Sequence, residues 1–326
     1  MIHRLSRMRA SPQIRALIQE TRLHPSQFIA PLFIRADITE KKAITSMPGL
    51  YQWTLDSLPE AIQEIQLLKI PAVLLFGIPE SKDAHGACSC HAEGIVQQAI
   101  RVIRKTAPEL CIIADVCLCE YTDHGHCGVL KDDKIDIEAT LEVLNTQSIS
   151  LAQAGCDFVA PSGMIDGMIH SIRHALDHAQ LQHCGIISYS AKYRSHLYGP
   201  FREAAMGAPQ FGDRSTYQMD FNNHQEAIRE TAIDIQEGAD MMIVKPALWY
   251  LDVIHALKQR FPEVPLCAYQ VSGEYSMIHH AANAGVFSLE AAMLESLTAI
   301  KRAGADILIS YFAQPFARWY WKINGV

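Results

Sequence analysis

Two lysines stand where apolar runs end. In MMIVKPALWY, residues 241–250, Lys245 closes a continuous apolar stretch, and IISYSAKYRS, 186–195, delivers Lys192 in much the same way. An ammonium group taken out of water is costly and tends to shed its proton instead. A neutral amine attacks a ketone to form a Schiff base, and a second cation nearby lowers the amine's pKa further. Two such lysines point to two carbonyl substrates joined together. The competing reading is a rim lysine whose stem is buried while its head reaches water, which accounts for one lysine better than for two. Pro246 biases Lys245 toward an extended conformation and keeps it out of a helix.

A third stretch, DVCLCEYTDHGHC, residues 115–127, gathers Asp115, Cys117, Cys119 and Cys127. In an extended chain Cys117 and Cys119 face the same way, and Cys127 returns after a glycine-bearing loop. Three thiolates hold zinc and leave a fourth position open for catalysis; His124 or His126 in that position makes the site structural instead. Three buried free cysteines are the alternative. HGACSCHAE, with Cys88, Cys90 and His91, precedes a helix and reads as a polar loop or an opportunistic metal site. Nine cysteines without a secretory signal favour thiols or metal ligands over disulfides. GPFREAAMGAPQFGDRSTYQMD, residues 199–220, carries Arg202 and Arg214, which suit bidentate recognition of a carboxylate. Surface pairing with Asp213 or Glu203 competes with that role.

Such groups need a scaffold. Apolar runs of five to seven residues, mostly without alternation, recur at 28–34, 72–77, 111–116, 157–162, 185–190, 241–246, 264–270 and 306–311. This is the pattern of strands buried on both faces of a parallel sheet. Between them lie amphipathic segments such as SLPEAIQEIQLLK and AEGIVQQAIRVIRK. Three junctions repeat one phrase, AGCDFV, EGADMMIV and AGADILI, in which Gly155, Gly238 and Gly304 can end a helix. Eight strands alternating with helices predict a (β/α)8 barrel. An open doubly wound sheet would usually bring a glycine-rich phosphate loop, which the sequence lacks. In a barrel the strands' C-terminal ends carry the chemistry. Those ends offer Asp115, Cys117 and Cys119 (third), Ser162 (fourth), Lys192 (fifth), Lys245 (sixth), Tyr269 and Ser272 (seventh) and Tyr311 (eighth).

We read residues 25–326 as one barrel domain and 1–24 as an N-terminal arm whose Arg4, Arg7, Arg9 and Arg15 serve subunit contacts. The net charge of −7 over 326 residues argues against a nucleic-acid partner. No apolar stretch reaches the roughly 18 residues of a membrane span, so the expected location is cytoplasmic.

The motifs DVCLCEYTDHGHCG, YSAKYRSHLYGPFREA, GDRSTYQMD, IVKP and YQVSGEY together resemble the 5-aminolevulinate dehydratase (porphobilinogen synthase) family over nearly the whole chain. The resemblance implies a (β/α)8 barrel with an arm that wraps a neighbouring subunit, commonly in a homo-octamer. It implies condensation of two 5-aminolevulinates into porphobilinogen with loss of two waters, in tetrapyrrole (heme) biosynthesis. By position it implies that Lys245 forms the Schiff base with the substrate supplying the propionate side and that Lys192 binds the other ketone. Arg202, Arg214 and Gln218 would hold the second molecule's carboxylate, and Ser272 and Tyr311 the first one's. Asp115 and Ser162 would lie near its amino group. Cys117, Cys119 and Cys127 match the zinc-type version, and Glu230 matches a glutamate that binds an allosteric magnesium in some members. Asp123, Arg194, His196 and Ser215 depart from the family's usual residues. The rival readings are a Schiff-base class I aldolase on the same barrel, which leaves the second lysine and the cysteines idle, and a zinc-stabilised scaffold without catalysis.

Overall fold

The computed structural model describes residues 3–325. Eight parallel strands close into a barrel: β1 (Phe28–Arg35), β2 (Ala72–Ile78), β3 (Cys111–Val116), β4 (Phe158–Pro161), β5 (Gly185–Lys192), β6 (Met241–Lys245), β7 (Leu266–Gln270) and β8 (Ile307–Ser310). Each pairs with the next, and β8 returns to β1 through Phe28 opposite Leu308 and Ile29 opposite Ile309. Every residue of β2 and of β7 is buried, because helices cover the outer face and side chains fill the inner one.

A helix follows each strand: α1 (Leu58–Leu67), α2 (Ile95–Thr106), α3 (Ile137–Ala154), α4 (Met168–His178), α5 (Gln225–Glu237), α6 (Leu251–Arg260), α7 (Leu289–Ala303) and α8 (Ala313–Asn324). On α2, Val96, Ala99, Ile100 and Ile103 form the buried stripe. Asp136 and Ser288 cap α3 and α7 by accepting the N–H groups of Ala139 and Ala291. Gly155 and Gly238 end α3 and α5 with φ of 109° and 107°, where a Cβ would be strained.

The aspartate of the repeated junction has a defined task. Asp157, Asp240 and Asp306 each precede a strand, and each accepts the backbone N–H at or near the start of the strand before it. The donors are Ile112 at 2.7 Å, Ile186 at 2.7 Å and Leu266 at 2.9 Å. Three strand pairs are thus fixed in register at the barrel's N-terminal end, away from the chemistry.

At the opposite end two long loops meet. The loop after β3 carries the cysteines; the loop after β5 carries the short helix Gly199–Ala204. Arg214 donates to the carbonyls of Gly125 at 3.0 Å and Gly207 at 2.8 Å, so one guanidinium binds both loops. Gly125, at φ 72°, lies so close to Ala208 that a Cβ would sit 2.2 Å from its carbonyl oxygen. Gln52 donates to the Ala204 carbonyl at 2.6 Å and holds the base of the second loop.

Strand β5 runs two residues past the apolar run at 185–190. It also contains an irregularity: Met242 opposes Ser188 while Val244 opposes Ala191, so three steps on β5 match two on β6. An extra residue reverses which side chains face inward. Ser188 accordingly faces outward to α5, where its hydroxyl donates to Asp234, while Lys192 turns into the barrel mouth.

Before the barrel, Leu5–Arg9 and Pro12–Leu17 form two short helices that bury no residue. Leu5 and Leu17 are 71% and 80% exposed. Among the described residues no helix is long and apolar enough to cross a membrane.

Candidate active site

Lys245 is the last residue of β6 and Lys192 the last of β5, and the two are direct cross-strand partners. Both side chains are buried, and both amines face the ring of Tyr189, at 5.1 Å for Lys245 and 5.5 Å for Lys192. They line one cavity, together with Asp115, Glu120, Ser162 and the arginines of the β5 loop. The Lys245 amine also lies 4.4 Å from the Tyr269 ring and 5.0 Å from that of Phe201, in an aromatic cup. Burial pulls its pKa down to about 7, the positive charge of Lys192 adds to the fall, and Asp115 and Glu120 oppose it. Lys192 donates to the Ser162 carbonyl. Asp115, at the end of β3, is pushed up to about 7 by burial and by Glu120, against the pull of both lysines. Ser162 donates to Asp115 at 3.2 Å.

Cys117 and Cys119 do meet, with sulfurs 3.4 Å apart, but not through an extended chain. β3 stops at Val116; Cys117 follows it directly, and Cys119 sits in turns closed by the N–H groups of Tyr121 and Thr122 on the Leu118 carbonyl. Cys127 comes back beside them, and all three sulfurs lie within 4.8 Å of one another. Sulfurs about 2.3 Å from a tetrahedral ion stand roughly 3.8 Å apart, so the donor set fits a soft divalent metal. Hydrogen bonds from Cys117 and Cys119 pull the Cys127 thiol well down, aided by the charges of Arg214 and Lys192. Cys119 is pushed up by its bonds to the other two sulfurs and by burial.

Neither histidine of this loop joins the sulfurs. His126 contacts the Tyr217 hydroxyl at 3.1 Å and the Phe211 carbonyl at 3.1 Å, and His124 the Ala84 carbonyl at 3.2 Å. The triad therefore has no histidine closing it. Asp123 is exposed. Cys88 and Cys90 point to different carbonyls, those of Ser81 and Val143, and do not gather into a ligand set.

Arg202 and Arg214 both reach the lysine cavity, and each has a buried Nε without a partner. Such orphaned donors are expensive unless an anion completes them. Burial and the neighbouring Arg214 pull Arg202 down. Gln218 is buried with both amide atoms unpaired, and it borders a neighbouring cavity of about 640 Å³ instead. Glu230 borders that same cavity; burial raises its pKa, as do the charges of Asp234, Asp166 and Glu226. Tyr269 lies within β7, and its hydroxyl meets that of Tyr311 at 3.0 Å. Ser272 accepts the Phe201 N–H at 2.9 Å, at the base of the β5 loop.

Sequence reasoning passed over Glu120. It is 3% exposed, and Cys119 donates to its Oε2 at 3.1 Å. It links the cysteine cluster to the lysine cavity, and its only sequence signal is its place directly after C-x-C. Tyr189 and Tyr217 were passed over for another reason: aromatic side chains at these positions read as core.

Paired buried lysines at adjacent strand ends, beside two arginines that each keep a buried Nε without a partner, define the class: a (β/α)8-barrel enzyme whose cleft is built for carbonyl acids. Comparison with known proteins gives the particular family. A family model for delta-aminolevulinic acid dehydratase matches residues 2–319. The delta-aminolevulinic acid dehydratase of Bacillus subtilis (strain 168) is 49% identical over 317 residues, covering 97% of this chain and 98% of that one. The dehydratase of Archaeoglobus fulgidus is 46% identical over 314 residues, covering 96% and 97%. The crystal structure of delta-aminolevulinic acid dehydratase (porphobilinogen synthase) from Toxoplasma gondii ME49, in complex with the reaction product porphobilinogen, superposes with a TM-score of 0.95. It is 38% identical and covers 98% of this chain and 92% of that one. The chain belongs to the delta-aminolevulinic acid dehydratase family. Its reaction class is that of a hydro-lyase, and the aldolase reading gives way to it.

Proposed function

We propose that the chain condenses two molecules of 5-aminolevulinate into porphobilinogen, with Lys245 and Lys192 each binding one ketone as a Schiff base. The observation that carries this reading is the single cavity shared by both amines. Lys245, already depressed to about 7, is the amine readier to attack. Each imine expels one water, and closing the ring returns both amines, so two waters leave per product. Iminium formation acidifies the carbon beside each carbonyl. Asp115, raised into the neutral range, can accept or return a proton there. Arg202 and Arg214 hold one carboxylate, and Gln218, whose unpaired amide borders the neighbouring cavity, would have to turn toward them to join; Ser272 and Tyr311, with Tyr269, hold the other. Fixing two identical molecules in unlike subsites turns an encounter into an oriented event, worth up to roughly 7–11 kcal/mol.

The space at the centre of the cleft is about 20 Å³, no more than one water occupies. Two substrates therefore enter only when the loop over 193–224 lifts, and its return excludes solvent from the imines.

Cys117, Cys119 and Cys127 would hold zinc, which supplies a site for the substrate amine or a hydroxide. Glu230 would hold an allosteric magnesium ion; it borders its own cavity, which the lysines do not line. The exposed apolar residues of the first 24 positions fit an arm that packs on a second copy, in a homo-oligomer such as an octamer. We assign the protein to the cytoplasm.

Borohydride trapping with 5-aminolevulinate, followed by peptide mass mapping, tests the central assignment; an adduct on Lys245 is expected, and none on either lysine removes it. Porphobilinogen measured by its colour reaction separates synthase from aldolase. The pH dependence follows from the amine. Only the neutral form attacks, so the initial trapping rate on Lys245 climbs as pH rises through about 7. Below that it falls by about tenfold per pH unit. Lys192→Met removes the like charge, and the climb then moves to higher pH.

A further inference from the structure

Glu274 is completely buried, with 0% exposure, and has no cationic partner among the described residues. A carboxylate in that position is a liability unless something demands it. Its two oxygens face two different segments. Oε1 accepts the N–H of Leu248 at 2.6 Å, in the turn directly after Lys245 and Pro246. Oε2 accepts the N–H of Val271 at 2.7 Å, where β7 passes into the helix Ser272–Asn283. The N–H groups of Ala247 and Trp249 also face it, so the turn after Lys245 wraps around one carboxylate. Burial raises its pKa to about 7 even though those four N–H groups pull against the rise.

The same helix start carries the base of the β5 loop. Ser272 accepts the Phe201 N–H, and a Cβ on Gly273 would stand 2.4 Å from the Leu197 carbonyl oxygen. Backbone and loop are therefore in contact there with no room to slide. On the other side, Tyr198 donates to the Tyr193 carbonyl at 2.7 Å and to the Lys245 carbonyl at 3.2 Å. The end of β6, the end of β7 and the loop over the cleft all close on a small region, and among the described residues Glu274 is the one side chain that bonds both strand-end turns.

The geometry points to Glu274 as a positioning residue that sets Lys245 against the Ser272 subsite, so that the imine forms where the first substrate's carboxylate is held. The inference rests on Lys245 being the Schiff-base amine. It extends that reading to a residue that touches neither substrate nor cysteine. No other acceptor replaces it: a glutamine of the same shape offers one oxygen and turns an NH₂ donor toward backbone donors.

The test compares E274Q and E274D with the parent as full-length, zinc-supplemented protein. For E274Q we expect kcat to fall by roughly 10²-fold, as a misplacement of about 1 Å does, while the KM for 5-aminolevulinate changes much less. Borohydride trapping on Lys245 slows in parallel. E274D keeps two acceptors but reaches one methylene less far toward the two turns, so its kcat and trapping rate are expected to stay about tenfold below the parent. Parental kcat and trapping rate in a folded E274Q overturn the inference. If E274Q does not fold, E274D decides: a lower melting temperature with parental kcat per folded molecule shows a purely structural role and also overturns it. The Lys245 assignment fails separately, if the parent itself gives no adduct on Lys245.

Discussion

Lys245→Ala folds as the parent does and loses turnover by at least roughly 10⁴-fold, on the scale of removing a covalent nucleophile. The residue is buried inside an aromatic cup made by Tyr189, Tyr198, Phe201 and Tyr269. Its amine pays a desolvation cost in the folded state, so truncation leaves a small cavity but removes an unfavourable charge. Circular dichroism and thermal melting at neutral pH are therefore expected to stay close to the parent, while the colour reaction for product vanishes.

The linkage has a definite sign. The folded pKa of about 7 lies below the ordinary 10.5, so the unfolded chain holds a proton that the folded chain does not between those values. Stability from this group rises with pH across that window and is lowest below about 7. In Lys245→Ala that rise disappears. Product formation at the parental rate would remove Lys245 from the mechanism, and an unchanged stability slope between about 7 and 10.5 would contradict its burial as a depressed amine.

The second large effect is expected at the cysteines. Dialysis against a strong chelator lowers activity by about 10²-fold or more, and added zinc restores it. Cys127→Ser abolishes high-affinity metal binding with the barrel intact. Proton release gives a readout independent of activity. In the metal-free cluster Cys127 is drawn well down while Cys117 and Cys119 are pushed well up. Binding must ionise all three, so about two protons leave per ion near neutrality. Calorimetry in buffers of different ionisation enthalpy measures that number. A chelator-insensitive enzyme that binds no metal would return the triad to three buried thiols.

Much of this was open to reading in the chain. Continuous apolar runs separated by amphipathic segments specified a barrel, because strands covered on both faces need no alternation. Lys245 and Lys192 announced themselves by ending such runs, and C-x-C with a third cysteine announced a ligand set. Other details lay beyond spacing. The run at 185–190 stops two residues short of Lys192, whereas the strand continues through it, and Ser188 within the run is satisfied by Asp234. The cysteine geometry was reached by turns, not by strand alternation. Glu274 and Glu120 looked like ordinary charged residues of a helix and a loop, because burial is a property of the neighbours and not of the residue.

By itself the sequence determined the strand count, the helices between the strands, and which reactive side chains stand at strand ends. Those follow from local periodicity and covalent order. The tertiary structure alone decided which of those side chains share a space. The extra residue in β5 turns Lys192 inward beside Lys245, and Arg214 joins two loops nearly ninety residues apart onto one cleft. Registry between strands and contact between distant loops are set by packing and hydrogen bonding across the fold, which no local pattern of residue types encodes.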